Sequence, residues 1–176
     1  LVLKNNKGTE DNRVRKLDYS IQISKLFYER LLASADISLF SPHDVPGLYD
    51  AFGTEEFDEL YLKYEKNKNI RRKKVPAQEL FNNLLKERAE TGRIYIMNID
   101  HCNSHSSFKD KVNMSNLCQE ITLPTVPIEH IDGNGEIALC ILSAVNVGQL
   151  KDLDELEPLC DIAVRALDEI IDYQKY

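Results

Sequence analysis

A chain of 176 residues with a formal charge of −7 has room for one compact domain or part of a larger one. Its acidic balance argues against a general nucleic-acid-binding surface, and no signal peptide or long apolar span gives support to secretion or membrane insertion. Cysteines at 102, 118, 140 and 160 match neither a zinc ribbon nor a CxxC redox motif, so a cytoplasmic protein with reduced thiols is expected.

In chain order, LVLK (1–4) reads as a short strand end and NNKGTEDN (5–12) as a polar loop. Leu17, Ile21, Leu26, Phe27 and Leu31 recur at helical steps, which predicts an amphipathic helix from Leu17 to Leu32. SPHDVPG (41–47) punctuates the chain, and Asp44 is placed to cap a short helix from Val45 to Phe52. Thr54 is the candidate cap of the next helix, to about Glu65, although Phe57 stands where a capping box wants Glu or Gln. The basic run IRRKKV (70–75) reads as a solvated loop or helix start. Pro76 suits the first turn of a helix to Glu90, which Gly92 ends.

RIYIMNI (93–99) partly alternates and predicts a strand, while residues 100–113 are polar and read as irregular. ITLP (121–124) extends the preceding segment, with Pro124 and Pro127 limiting further pairing. Gly133 and Gly135 make a turn. EIALCILSAVNV (136–147) is nearly continuous in apolar residues, the pattern of a strand buried on both faces. Asp152 or Asp154 opens a last helix to about Tyr173, with Leu156, Leu159, Ala163, Leu167 and Ile170 on its inner side. Strand–helix alternation in this half argues for an α/β fold.

The stretch SNLCQEITLP (115–124) sets Asn116, Cys118 and Glu120 at every second position. In an extended backbone all three share a face, roughly 7 Å apart from one to the next. An amide, a thiol and a carboxylate in a row suit a small polar substrate such as a sugar ring; such a row also arises by chance on half-buried strands. Gln119 then faces the other way. Two other chemistries use the same residue types. Cys118 could be a hydrolase nucleophile with His101 or His105 as base, although no helix N-terminus or glycine-rich turn is evident beside it. DHCNSH (100–105) offers His101, Cys102 and His105 to zinc, but the stretch reads as a loop with no second ligand cluster, so no metal is expected. Cys102 and Cys160 read as small core residues, and Cys140, in ALCIL, taken alone reads as a buried thiol.

SNLCQEITLP, followed by NGEIALCILSAVNVG (134–148), closely resembles the catalytic region of the class I ribonucleotide reductase large subunit. LVLKNNKGTEDNRVRKLDYSIQ (1–22), LFSPHDVPGLYDAF (39–52), ERAETGRIYIMNIDHCNSH (87–105) and LDELEPLCDIAVRALDEIIDYQ (153–174) resemble the same family in the same order, so the likeness covers essentially the whole chain. The resemblance implies part of an α/β barrel: a helical part over about 1–92 precedes a strand, loop and helix part with the site over about 93–176, and the Cys118 segment is an inner loop. It also implies a slice of a longer protein. The chain begins at Leu1 rather than Met, and the family's regulatory part, the upstream half of its site, later barrel strands and a C-terminal cysteine tail are expected to lie elsewhere. No turnover is expected from the chain alone.

The same resemblance implies the chemistry. Ribonucleoside diphosphates are reduced at the 2′ carbon, to supply deoxyribonucleotides for DNA replication. Cys118 matches the cysteine that becomes a thiyl radical and takes the 3′ hydrogen. Glu120 matches the general base, and Asn116 the residue that holds the substrate hydroxyl and orients the carboxylate. Cys140 matches one of two thiols that become a disulfide, its partner lying upstream of Leu1. The implied partners are the remainder of the large subunit, a separate radical-generating small subunit, and thioredoxin or glutaredoxin. The large subunit is expected to be a dimer regulated by nucleotide effectors (ATP and dNTPs) bound mostly outside this chain, with no cofactor in the chain itself and no nucleic acid or membrane partner. A non-catalytic assembly piece of a split large subunit is the alternative that is not an enzyme.

Overall fold

Tyr19, Ile21 and Ile23 alternate along the chain, and the segment is a strand, β1 (Tyr19–Ile23). The helix expected from Leu17 therefore starts later, as α1 (Lys25–Leu32). Ser24 is extended at the junction (φ −91°, ψ 164°), and the Asp100 carboxylate accepts the Lys25 N–H. An orphan donor of the first turn is thus capped by a residue remote in sequence, which local periodicity cannot show. The computed structural model describes residues 17–116, 118–126, 133, 135, 136 and 140–173. The strand end read at 1–4, the loop at 5–12, Pro127 and positions 137–139 of the apolar run lie outside them.

The chain divides into two compact units, Leu1–Ala138 and Leu139–Tyr176. In the first, β4 (Ile94–Asn98) lies parallel to β1, in register from Tyr19 opposite Ile94 to Ile23 opposite Asn98. A parallel pair needs a crossover, and residues 24–93 supply it. Within the crossover, β2 (Asp36–Phe40) pairs antiparallel with β3 (Arg72–Pro76). The basic run expected as a loop or helix start is therefore a strand. Lys73 and Lys74, successive residues on opposite faces of this two-stranded sheet, are both exposed. The part expected to be helical over 1–92 carries three strands among its helices.

The helices of this unit follow local rules with two exceptions. Pro42–Asp44 form a single 3₁₀ turn, and α2 (Leu48–Ala51) starts only after Pro46. Val45, preceding that proline, is pushed out of the helical region (φ −135°, ψ 65°), so Asp44 ends a turn instead of capping Val45–Phe52. α3 (Glu56–Lys66) has Glu55, not Thr54, at its cap position; the Thr54 hydroxyl donates back to the Ala51 carbonyl at 2.7 Å. α4 (Ala77–Thr91) follows Pro76 and ends at Gly92 with φ 65°, as the sequence indicates. Tyr61 of α3 joins the β2–β3 pair: its hydroxyl accepts the Ser38 N–H at 2.6 Å and donates to the Ser38 carbonyl at 2.9 Å. Glu65 accepts from Ser38 Oγ at 2.8 Å and pairs with Arg30 at 2.5 Å. Ile23, Leu26, Phe27, Ile37, Phe57, Tyr61, Leu84 and Ile94 form the main core.

The polar stretch expected to be irregular begins with a short helix, α5 (Ile99–Ser104). Ile99 anchors it in a second cluster with Met97 and Val112. Asn103 completes the anchor: its amide donates to the Val112 carbonyl at 3.2 Å and accepts the Val112 N–H at 2.8 Å, as a neighbouring strand would. That bond delivers the chain into β5 (Val112–Ser115), which pairs antiparallel with β6 (Thr122–Pro124). Val126 and Glu136 then form an isolated antiparallel bridge.

In the second unit, residues 140–146 form no strand, contrary to the doubly buried strand expected over 136–147. A central strand needs backbone partners on both sides, and among the described residues none pairs with this run. Leu142 is exposed. Asp152 does open the last helical segment. It accepts the N–H groups of Asp154 at 3.0 Å and Glu155 at 3.2 Å, caps a 3₁₀ turn (Leu153–Glu155) and leads into α6 (Leu156–Asp172). Leu156, Ala163 and Leu167 are half-buried on the expected face, whereas Leu159 and Ile170 are exposed. Among the described residues, no helix is long and apolar enough to cross a membrane.

Candidate active site

Asn116, Cys118 and Glu120 lie in the six-residue connection between β5 and β6. They are not a row on a strand: residues 118–121 form a turn. Asn116 is the cause. Its Oδ1 accepts the Ile121 N–H at 3.1 Å and the Ser115 hydroxyl at 3.1 Å. Its carbonyl accepts the Gln119 N–H at 3.2 Å, and its N–H donates to the Ile121 carbonyl at 3.3 Å. The Ser115 hydroxyl also reaches the Ile121 carbonyl, at 2.5 Å. An Asn side chain that bonds backbone ahead of it closes a turn, so the alternating spacing that suggests a strand face here belongs to a closed loop. All three residues sit on this one closed loop. Asn116 is half-buried at the base, and Cys118 and Glu120 are exposed beyond it. Gln119, between them, is half-buried, at φ 63°.

Cys140 is half-buried in the second unit. Cys102, on α5, is half-buried, and burial raises the pKa of its thiol above the ordinary value; a thiol held protonated in this way is a poor nucleophile. Cys160, expected in a core, is exposed on α6, which buries none of its residues. The four cysteines, all among the described residues, are not joined in disulfides.

The two alternative chemistries meet different surroundings. His101 and His105 are one helical turn apart, with ring centroids at 6.3 Å in an edge-on contact. Among the described residues, no group of three His, Cys, Asp or Glu side chains converges as a metal site would. The turn bearing Cys118 runs into strand β6 rather than a helix, so the helix N-terminus that activates many nucleophilic thiols is not built there. Acidic groups gather elsewhere, in a cleft of about 580 Å³ lined by Lys25, Glu55, Asp58, Asp100 and His101.

Sequence reasoning gave no structural part in the loop to Ser115 or Gln119. A serine directly before an Asx turn was a readable signal for the first; the left-handed backbone at a glutamine has none.

Comparison with known proteins places this loop in context. The sequence model of the ribonucleotide reductase barrel domain matches residues 1–176. The ribonucleoside-diphosphate reductase subunit alpha of Buchnera aphidicola (from Schizaphis graminum) is 58% identical over 182 aligned positions, covering 100% of this chain and 24% of that protein. Its counterpart in Haemophilus influenzae is 59% identical with the same coverage. The large subunit of Danio rerio is 34% identical, covering 100% of this chain and 22% of that protein. The chain thus spans about a quarter of the length of the curated relatives it matches. Its mixed helices and strands, with the parallel β1–β4 pair, are part of an α/β barrel; no closed barrel forms among the described residues. The chain belongs to the ribonucleotide reductase barrel-domain family.

Proposed function

We propose that this chain is the part of a ribonucleoside-diphosphate reductase alpha subunit that carries the thiyl-radical cysteine. The observation that supports it best is the Asn116–Ile121 loop, which closes on its own asparagine and leaves Cys118 and Glu120, two residues apart on the turn, both exposed. Removing an unactivated ribose hydrogen exceeds the reach of an ordinary acid or base. A sulfur radical suits it, because S–H and ribose C–H bonds are similar in strength. Cys118 Sγ then takes the 3′ hydrogen. Glu120 accepts the 3′ hydroxyl proton as the ring radical loses its 2′ oxygen as water. Asn116 keeps the loop closed through Oδ1 and offers its amide donor to the substrate hydroxyl. Cys140 is one of two thiols that supply the electrons and end as a disulfide; the second belongs to another part of the subunit.

On this reading the radical comes from a separate small subunit, thioredoxin or glutaredoxin renews the dithiol, and the working large subunit is a cytoplasmic dimer with nucleotide effectors. The exposed apolar residues of α6 favour a chain that works joined to the rest of such a subunit.

The test is a chimera in which this chain replaces the matching stretch of the Haemophilus influenzae alpha subunit. With the small subunit and thioredoxin it should convert a ribonucleoside diphosphate to its deoxy form. Cys118→Ser should abolish turnover, and Glu120→Gln should retain binding but lose roughly 100-fold or more in kcat. A folded, nucleotide-binding chimera that does no reduction, or a Cys118→Ser form that still turns over, ends the reading.

A further inference from the structure

Gln119 is the one described side chain within the turn 118–120 that the proposed chemistry leaves without a task. Its backbone is left-handed, at φ 63°, a conformation that residues with a Cβ rarely hold. Its Nε2 donates to Ser20 Oγ on β1, and its Oε1 is buried without a hydrogen-bond partner among the described residues. Such a strained and partly unsatisfied side chain needs a compensating contact. Two residues along β1, Gln22 Nε2 donates to the Asn113 carbonyl of β5 at 2.8 Å. Alternate residues of a strand share a face, so Ser20 and Gln22 grip one hairpin at two points, its loop and its strand. Asn113 extends the grip by donating to the Thr125 carbonyl, just past β6, at 3.1 Å.

Hairpin tips are ordinarily the mobile part of a sheet. Hydrogen transfer from carbon to sulfur, however, tolerates little misplacement of the reacting atom. We infer that Gln119 is a positioning residue: its bond to Ser20, with the Gln22–Asn113 bond beside it, holds the loop that carries Cys118 and Glu120 in one place relative to β1. The inference rests on the reductase reading for its consequence and on the geometry alone for the clamp.

The experiment has two arms. In this chain, hydrogen exchange at the Ile121 amide, which the closed loop protects, is followed in Gln119→Met, Ser20→Ala and the double variant. Each single change should speed exchange roughly fivefold, and the double should add nothing further, because both remove one bond. Ser20→Thr keeps the hydroxyl and should restore protection. In the chimera, Gln119→Met should lower kcat roughly tenfold or more, with KM for the nucleotide and the thermal midpoint nearly unchanged, and Ser20→Ala should match it. Unchanged or additive exchange overturns the clamp. Coupled exchange with undiminished kcat overturns the positioning role. Coupled exchange in a chimera inactive even before substitution upholds the clamp and removes the reductase reading, so the two failures are told apart.

Discussion

Strand β4 and helix α6 both present apolar faces in the sequence, and they end differently. Ile94 and Met97 of β4 are 1% and 4% exposed. On α6, Leu159 and Ile170 of the apolar face are 40% and 49% exposed, Ile162 and Val164 on its flanks are 63% and 65% exposed, and no residue is buried. β4 has β1 as its parallel neighbour and α4 packed against it. α6 belongs to the other unit. Patterning shows which face of an element seeks cover; whether cover is present depends on what the chain brings to it.

The sharpest way to break this contrast is truncation on each side of it. Ile94→Ala should cost about 2–5 kcal/mol, the usual range for emptying a packed aliphatic site. Ile162→Ala should stay within about 0.5 kcal/mol, as exposed substitutions do. Urea unfolding midpoints measured on both variants check the pair. A comparable loss at Ile162 would mean that the α6 face is covered in solution, and a midpoint that rises with protein concentration would identify a second copy as the cover.

A smaller effect separates two glycines of the first unit. Gly53 and Gly92 both hold positive φ, 81° and 65°. A Cβ at Gly53 would stand 2.7 Å from Ile99 Cγ1, whereas one at Gly92 would meet nothing within 4 Å. Alanine at either position incurs the left-handed cost of about 1–2 kcal/mol. At Gly53 it must also displace Ile99 from the cluster that seats α5, adding about 1–3 kcal/mol. Thermal unfolding should therefore place Gly53→Ala clearly below Gly92→Ala. Equal midpoints would show that α5 yields freely, and its anchoring by Ile99 and Asn103 would lose its weight.

What could be read in advance follows the range of the forces involved. The end of α4 at Gly92 and the Asp152 cap are set by neighbours a few residues away, and both stand where the sequence puts them, whereas Pro76, expected in the first turn of α4, is the last residue of β3. β3 is a lysine-rich strand only because β2, more than thirty residues earlier, pairs with it. α1 begins at Lys25 because Asp100 caps it from across the fold. In the candidate site, the residue types were legible and their arrangement was not. Alternation at 116, 118 and 120 suggests a strand face, but Asn116 bonds forward to Ile121 and the segment closes. The clamp from Ser20 could not be read at all, since it joins residues about a hundred positions apart. The apolar run ending at 147 shows the converse limit: its composition suits a buried strand, yet residues 140–146 have no strand beside them among the described residues.

The smallest expected effect lies at the polar margin of the packed unit. Asp58 is half-buried in the first turn of α3, where the helix dipole favours a negative charge. Its pKa is nevertheless raised, first by burial and then by the carboxylates of Glu29 and Asp100, with Lys25 opposing. Burial and like charge thus outweigh the lysine. A carboxyl whose pKa is higher in the folded state binds its proton more tightly there. Its stabilising contribution is complete below the unfolded pKa and is lost as pH rises through the folded one. At neutral pH the ionised Asp58 therefore weakens the fold slightly. Asp58→Asn should raise the thermal midpoint by roughly 1 °C at pH 7, as a few tenths of a kcal/mol would in a domain of this size. The gain should shrink as pH falls through the carboxylate range, where the native aspartate becomes neutral as well. A gain that held constant down to pH 3 would assign the effect to the shape of the asparagine rather than to charge, and a loss at pH 7 would mean that the helix dipole outweighs the neighbouring carboxylates after all.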